Sequence, residues 1–238
     1  MTTTATNHDA EFARIRAEYE RRERELPAGF YEWYQPANLF RRFQIARRCI
    51  GALVREGMFP LTGRRVLDVG CGNGQWLTEF VLWGASVHDL CGIDLLEGRI
   101  QRARSKLPSA DLRADDASQL PWVDATFDLV TQFLVFTSVL DMSAKKRLAS
   151  EMLRVLKPDG LILWYDLRYN NPQNPNVRGI GAKEVRSLFP ACMVKLEKAE
   201  LAPPIARRVV PVSWVGALVL EKVPLLRTHL LGVISKLP

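Results

Sequence analysis

The sequence predicts an α/β protein built on an open, mostly parallel sheet with helices on both faces. Two observations lead there. A β-branched and aliphatic run at 64–70 feeds a loop with glycine at 70, 72 and 74, and a helix-patterned stretch follows at once. Further aliphatic runs at 86–95, 111–116, 127–133 and 156–166 alternate with helix-patterned segments. Five β/α units in succession imply parallel strands joined by right-handed crossovers. A chain of 238 residues, 47% hydrophobic and 25% charged, is long and apolar enough to bury a sizeable core.

The elements follow in order. Residues 1–8 are small and polar and are expected to be disordered. Residues 11–25 hold helix formers with apolar positions at Phe12, Ile15 and Tyr19, an exposed helix stopped by Pro27-Ala28-Gly29. Phe30, Tyr31, Trp33 and Tyr34 come next, and 38–58 reads as an amphipathic helix with Phe40, Phe43, Ile45, Ile50, Leu53 and Val54 on its apolar face. Past the glycine loop, Leu77, Phe80 and Val81 mark a helix face. The strand at 86–95 is followed by a basic helix at 97–107, a short strand at 111–116 and a fourth strand at 127–133. A helix at 142–155 uses Leu148, Met152 and Leu153 for the core, and Pro158 and Gly160 turn the chain into strand five. Beyond it come a helix at 182–188, an alternating strand at 191–201, an apolar helix at 212–223 between prolines, and a last strand at 228–237. The expected organisation is a tail and helical lid at 1–60 and a cofactor domain at 61–238 that carries 202–226 as an insertion or cap.

A strand, glycine loop and helix N-terminus make a nucleotide-like site. The dinucleotide pattern G-x-G-x-x-G, started at Gly70, needs glycine at 75, where Gln75 stands. The pattern here is D-x-G-x-G-x-G, with Asp68 two residues ahead of Gly70. The stretch VLDVGCGNG resembles motif I of the class I S-adenosylmethionine (SAM) dependent methyltransferases. Residues 114–122 are similar to that family's G-D-A-x-x-L-P-F stretch, Phe127-Asp128-Leu129-Val130 to its F-D-x-V, and Leu156-Lys157-Pro158-Asp159-Gly160 to its L-K-P-x-G. The resemblance covers about residues 64–168, in order and in the right secondary-structure context. A dinucleotide-dependent dehydrogenase is the alternative for the loop alone.

The resemblance implies a seven-stranded sheet whose last strand is antiparallel and lies between strands five and six. It implies SAM as cofactor and S-adenosylhomocysteine as product. Asp68, Gly70, Cys71, Gly72 and Gly74 would form the cofactor loop, with Asp94 and Leu95 at the ribose. Asp94 lies 24 residues beyond Gly70, close to where a nucleotide fold places its ribose-binding acid. Asp116 and Ala117 would hold the adenine, Asp115 being the register-slip competitor, and Gln132 would end the strand beside the reactive methyl. The aromatics at 30–34 either anchor the first helix or cap the sulfonium by cation–π attraction, which makes Tyr31 and Tyr34 candidates for substrate contact.

The acceptor is less legible. The loop at 166–178 is rich in amide, phenol and guanidinium groups at the carboxyl edge of the sheet, where open α/β folds bind ligands. Arg168, Tyr169 and Asn171 are its candidates for substrate contact, although asparagine and proline are also ordinary loop residues. The implied seventh strand starts at that edge with Arg227, Thr228 and His229. Methylation of a hydroxyl gains from a base, and His229 and Asp166 are the candidates, with Tyr165 and Tyr169 weaker ones. A histidine at a strand start can equally be structural. The segment 202–226 is longer than a hairpin needs. It is ordinary core, the wall of an apolar acceptor pocket, or a peripheral membrane contact with Arg207 and Arg208 facing lipid phosphates.

Other classes are disfavoured. Cys49, Cys71, Cys91 and Cys192 are scattered without a C-x-x-C pair, and no His/Asp cluster suggests a metal. No signal pattern and no eighteen-residue apolar run is present, so a cytoplasmic location is expected. The net charge of +7 is spread among acids and reads as a solvated surface, and the TQFLVF run after strand four lacks the element of base-methylating enzymes, so nucleic acid is not the expected partner. The expected function is methyl transfer to a small-molecule acceptor: a polar metabolite, a sugar or glycan precursor, or a lipid-linked intermediate, at oxygen ahead of nitrogen. The alternatives are N-methylation of a small molecule, peptide or RNA, and a non-catalytic partner protein that keeps the fold.

Overall fold

A computed structural model of the chain describes residues 2–27, 29–30, 32, 34–172 and 174–237. Seven strands form one sheet: β1 (Val66–Val69), β2 (Leu90–Asp94), β3 (Asp111–Ala114), β4 (Phe127–Phe133), β5 (Leu156–Leu167), β6 (Cys192–Leu201) and β7 (Arg227–Lys236). Their order is β3-β2-β1-β4-β5-β7-β6. The first five pair in parallel, and β7 runs antiparallel to both β5 and β6, as expected.

Alternation along each strand divides the core in two. Val66, Leu129, Leu163 and Tyr165 face one side, which α2 (Pro36–Arg55), α3 (Gln75–Leu82) and α4 (Glu97–Lys106) cover with Cys49, Leu53, Leu77, Phe80, Ile100 and Ala103. Leu67, Val69, Val130, Ile162 and Trp164 face the other, under α5 (Met142–Val155) and α6 (Ala182–Leu188), with Met152, Val155, Val185 and Leu188. Full burial of a side chain such as Phe80 or Ile162 contributes about 1.5–3 kcal/mol.

Several boundaries differ from expectation. Helix α1 (Thr2–Glu25) begins at Thr2 instead of near residue 11, since no glycine or proline interrupts the first residues. β2 starts only at Leu90, after a 3₁₀ turn at Val87–Asp89 in which the polar His88 and Asp89 break the aliphatic run. Helix α2 leaves Phe43 and Val54 exposed. Phe43 lies edge-on to Trp214 with ring centroids 6.5 Å apart. The insertion holds two helices where one was expected, α7 (Pro203–Val209) and α8 (Trp214–Glu221). Pro203 supplies the first turn of α7, and the Ser213 hydroxyl caps α8 by accepting from the Gly216 N–H at 2.9 Å. Ala206, Val210 and Ala217 close a small satellite core on Phe40 and Leu201.

Helix α1 lies across the carboxyl edge of the sheet and is fastened there by side chains. Glu11 accepts from the N–H groups of Leu140 and Asp141, and Arg14 donates to the Ser138 carbonyl at 2.6 Å. One turn on, Glu18 accepts from the side-chain amides of Asn174 and Asn176 at 3.1 and 2.7 Å. No helix among the described residues is long and apolar enough to cross a membrane.

Candidate active site

The carboxyl ends of β1, β2, β4 and β5 and the start of β7 open on one cavity of about 1080 Å³. That lies at the upper limit of a single small-molecule site and leaves space for two ligands side by side. Its rim comes from α1, α2, α7 and the loop after β5.

At one end lies the glycine loop. Gly70, Gly72 and Gly74 have φ of 72°, 53° and 73°, left-handed values that cost other residues steric energy. The loop spends its donors internally. The N–H groups of Gly70 and Cys71 donate to the Ile93 carbonyl, that of Gly74 to the Cys71 carbonyl, and that of Gly72 to Asp94 Oδ2 at 3.0 Å. A phosphate-binding loop would point such groups at its ligand. A cofactor whose nearest part carries no phosphate fits this loop better than a dinucleotide. A side chain built on Gly70 would strike Val135, whereas at Gly72 it would meet nothing within 4 Å, so the surface at Gly72 stands open to a ligand.

Asp94 ends β2 with Oδ1 accepting from the Leu96 N–H at 3.0 Å. Held by the Gly72 and Leu96 N–H groups, one on each oxygen, the carboxylate is fixed in its pose on the cavity wall. Asp116 binds the Ser118 N–H and hydroxyl, each at 2.7 Å. Leu95, Asp115, Asp116 and Ala117 line the same cavity, as do Gly70, Cys71, Gly72 and Asp94.

Asp68 lies beneath the loop, outside that lining. It is buried and accepts from the Thr131 hydroxyl at 2.7 Å. Burial pushes its carboxyl up to about 7 against the Thr131 hydrogen bond, and the Asp94 charge adds to the rise. Gln132 is buried as well, donating to the Tyr165 carbonyl and accepting from the Val135 N–H at 3.1 Å, which fixes the turn after β4. Gly74 caps α3, where a Cβ would press on Ala103.

The same cavity is lined by Trp76, Phe133, Tyr165, Thr228 and His229. The His229 ring lies parallel to Tyr165, with centroids 5.1 Å apart and planes 5° from parallel. Its Nδ1 is 3.1 Å from Thr228 Oγ1 and 3.5 Å from Glu200 Oε2. Burial pulls the imidazole down to about 4, Glu200 opposing and Arg41 adding to the fall, so the ring is neutral at pH 7. The Tyr165 hydroxyl is buried and has no hydrogen-bond partner among the described residues.

Asp166, the other expected base, does not line the cavity. Its oxygens accept from the N–H groups of Phe136, Thr137 and Leu167 at 3.0–3.3 Å, and burial raises it to about 7. It shapes the loop after β4. Of the expected substrate contacts, Tyr169 and Asn171 line the cavity, and Arg168 stacks on Tyr169 outside it, 4.4 Å from ring centre. Tyr34 is 72% exposed and apart from the cavity. Tyr31 and Trp33 lie outside the described residues. From the same aromatic run Phe30 does reach the cavity, under the Arg207 guanidinium at 4.7 Å. Among the described residues no group of three His, Cys, Asp or Glu side chains could hold a metal.

Residues 66–160 match a family model described as a methyltransferase domain. A phthiotriol/phenolphthiotriol dimycocerosates methyltransferase of Mycobacterium ulcerans is 37% identical over 116 residues, 47% of this chain and 40% of the relative. A demethylmenaquinone methyltransferase of Renibacterium salmoninarum is 32% identical over 111 residues, 47% of this chain and 44% of the relative. The chain thus matches under half the length of these two relatives. In fold, a 1,6-didemethyltoxoflavin-N1-methyltransferase of Burkholderia thailandensis, solved with that acceptor and S-adenosylhomocysteine, aligns with a TM-score of 0.65 at 15% identity, over 95% of this chain and 88% of that one.

Proposed function

We propose that the chain, whose residues 66–160 match a methyltransferase domain, is a class I methyltransferase that transfers a methyl group from SAM to a hydroxyl of a small-molecule acceptor. The observation that carries the hydroxyl is the buried His229, stacked on Tyr165 and lining the same cavity as Gly70, Gly72 and Asp94.

In this reading Asp94 and Leu95 hold the ribose, Asp116 and Ala117 hold the adenine, and Gly72 leaves room for the amino-acid end. When bound, SAM supplies an electrophilic methyl whose bonding pair returns to sulfur on transfer. The chain's own work is to fix the acceptor in line with that bond, exclude water and take a proton. His229 Nε2 takes the hydroxyl proton, and the Tyr165 hydroxyl donates to the acceptor. Helix α1, which lines the cavity with Phe12, Ile15 and Tyr19, closes over both ligands as a lid, while α2, expected to belong to that lid, packs its Cys49 and Leu53 in the core under the sheet.

The relatives named above act on a mycobacterial lipid and on a quinone precursor, to judge by their names, which favours a lipid-linked or ring-bearing acceptor over a free sugar. The cap favours the same reading. Val212 and Val215 are 86% and 69% exposed, Val219 and Leu225 are exposed too, and the same insertion exposes Arg208 and Lys222. Such a face suits the interface of an anionic bilayer.

The test is methyl-labelled SAM with fractionated lipid and small-molecule extracts. Label should enter one small-molecule fraction, and His229→Asn should cut that rate about 100-fold or more while leaving SAM affinity by calorimetry unchanged. Label confined to protein or RNA refutes the acceptor class, and full activity of His229→Asn refutes the base.

A further inference from the structure

Glu200 is out of place for a strand residue. β6 pairs Ala199 with His229 and Leu201 with Arg227, so an extended residue 200 would point away from the face that carries His229. Its φ is 61°, a left-handed value at a residue that is not glycine. The break in alternation turns the side chain back, so that Oε2 lies 3.5 Å from His229 Nδ1. The carboxylate is 1% exposed. Oε1 is ion-paired with Arg41 from α2, and Oε2 has no hydrogen-bond partner among the described residues. A buried acceptor left open in this way calls for an explanation, and strained backbone gathers where geometry serves a function.

We propose that Glu200 is the positioning residue of a Glu200–His229 pair, holding the proton of His229 on Nδ1 so that Nε2 faces the cavity bare and accepts the proton of the substrate hydroxyl. The inference rests on His229 being the base. Among the described residues no protein group is hydrogen-bonded to Nε2, while Nδ1 has Glu200 and Thr228 on its side. As the hydroxyl proton moves to Nε2, the oxygen's electron pair forms the bond to methyl and the sulfur–methyl pair returns to sulfur. The imidazolium so formed is stabilised by the Glu200 charge, then loses its Nε2 proton to water. The groups facing the ring from neighbouring elements are Tyr165 on β5, Glu200 on β6 and Arg41 on α2, so Glu200 is the acid among them. Arg41 anchors Oε1 by an ion pair from α2.

Two variants test this. Glu200→Gln removes the charge at constant size. Glu200→Gly removes the side chain while easing the left-handed backbone, which offsets part of the cost of losing the Arg41 ion pair. Nitrogen-15 spectra of His229 in the SAM-free protein should show the Nδ1–H tautomer in wild type and a shift toward Nε2–H in Glu200→Gly. In turnover with the identified acceptor, both variants should lose tenfold or more in kcat, with acceptor KM and SAM affinity within about twofold. A wild-type Nε2–H tautomer, or a Glu200→Gly spectrum and kcat equal to wild type, overturns the proposal. If instead His229→Asn is fully active while the tautomer does follow Glu200, it is the base reading that has failed, and the catalytic role of Glu200 falls with it.

Discussion

At the scale of single residues the site is governed by where carboxylates spend their lone pairs. Asp94 divides its oxygens between Gly72 and Leu96, so one side chain shapes the loop and faces the ligand. Asp94→Ala should therefore weaken SAM binding by roughly tenfold or more, the scale of hydrogen bonds to a charged group. Near-normal affinity by calorimetry would contradict the ribose role. His229 makes a statement about stability as well. Its folded-state value is depressed to about 4, so between pH 6.5 and 4 the unfolded chain binds a proton that the folded chain refuses. Stability is lost as pH falls through that window, by about 3 kcal/mol in all. Asp68 and Asp166, both raised to about 7, act with the opposite sign over the same range. The contribution is thus read as a difference. In urea titrations at pH 7 and pH 4, wild type should lose about 3 kcal/mol relative to His229→Gln.

Among the elements, the loop after β5 is held by a glycine. A side chain at Gly179 would collide with the Tyr169 backbone, which has no room to move, while the Gly179 N–H donates to Asn170 Oδ1 at 3.0 Å. Gly179→Ala should push residues 169–171 off the cavity wall, raising acceptor KM severalfold at unchanged SAM affinity. Equal losses in both would show that the loop serves the cofactor too. Gly179 was not legible as a site residue, because nothing local marks which backbone it must pass. The cofactor loop was legible, because its left-handed residues at 70, 72 and 74 all leave glycine in the sequence. Strand faces were not, since Leu161 to Trp164 is apolar throughout and only the fold divides it between two cores. Glu200 escaped for the converse reason: its left-handed backbone carries no glycine, and simple alternation sends its side chain the wrong way. Glu11 and Glu18 escaped because their partners lie more than a hundred residues away, so they read as part of a charged helix surface.

For the molecule as a whole, the insertion has two parts: α7 lines the cavity with Pro204 and Arg207, and α8 with the turn after it exposes Val215, Val219 and Leu225. If that face meets lipid, the protein should sediment with anionic vesicles and less with zwitterionic ones, and Val215→Asp with Val219→Asp should abolish the difference. No sedimentation with either would leave the face to protein contacts. The sheet order carries one more consequence, for the nascent chain. β7 occupies the slot between β5 and β6 but is synthesised after both, so until it arrives those two strands present unpaired edges. The loop at 70–74, Asp94 and Asp116 are on sheet elements made earlier, whereas Thr228 and His229 arrive with β7. On the ribosome, then, the glycine-loop part of the pocket precedes the part lined by β7, and the last strand to dock is the one that brings the proposed base.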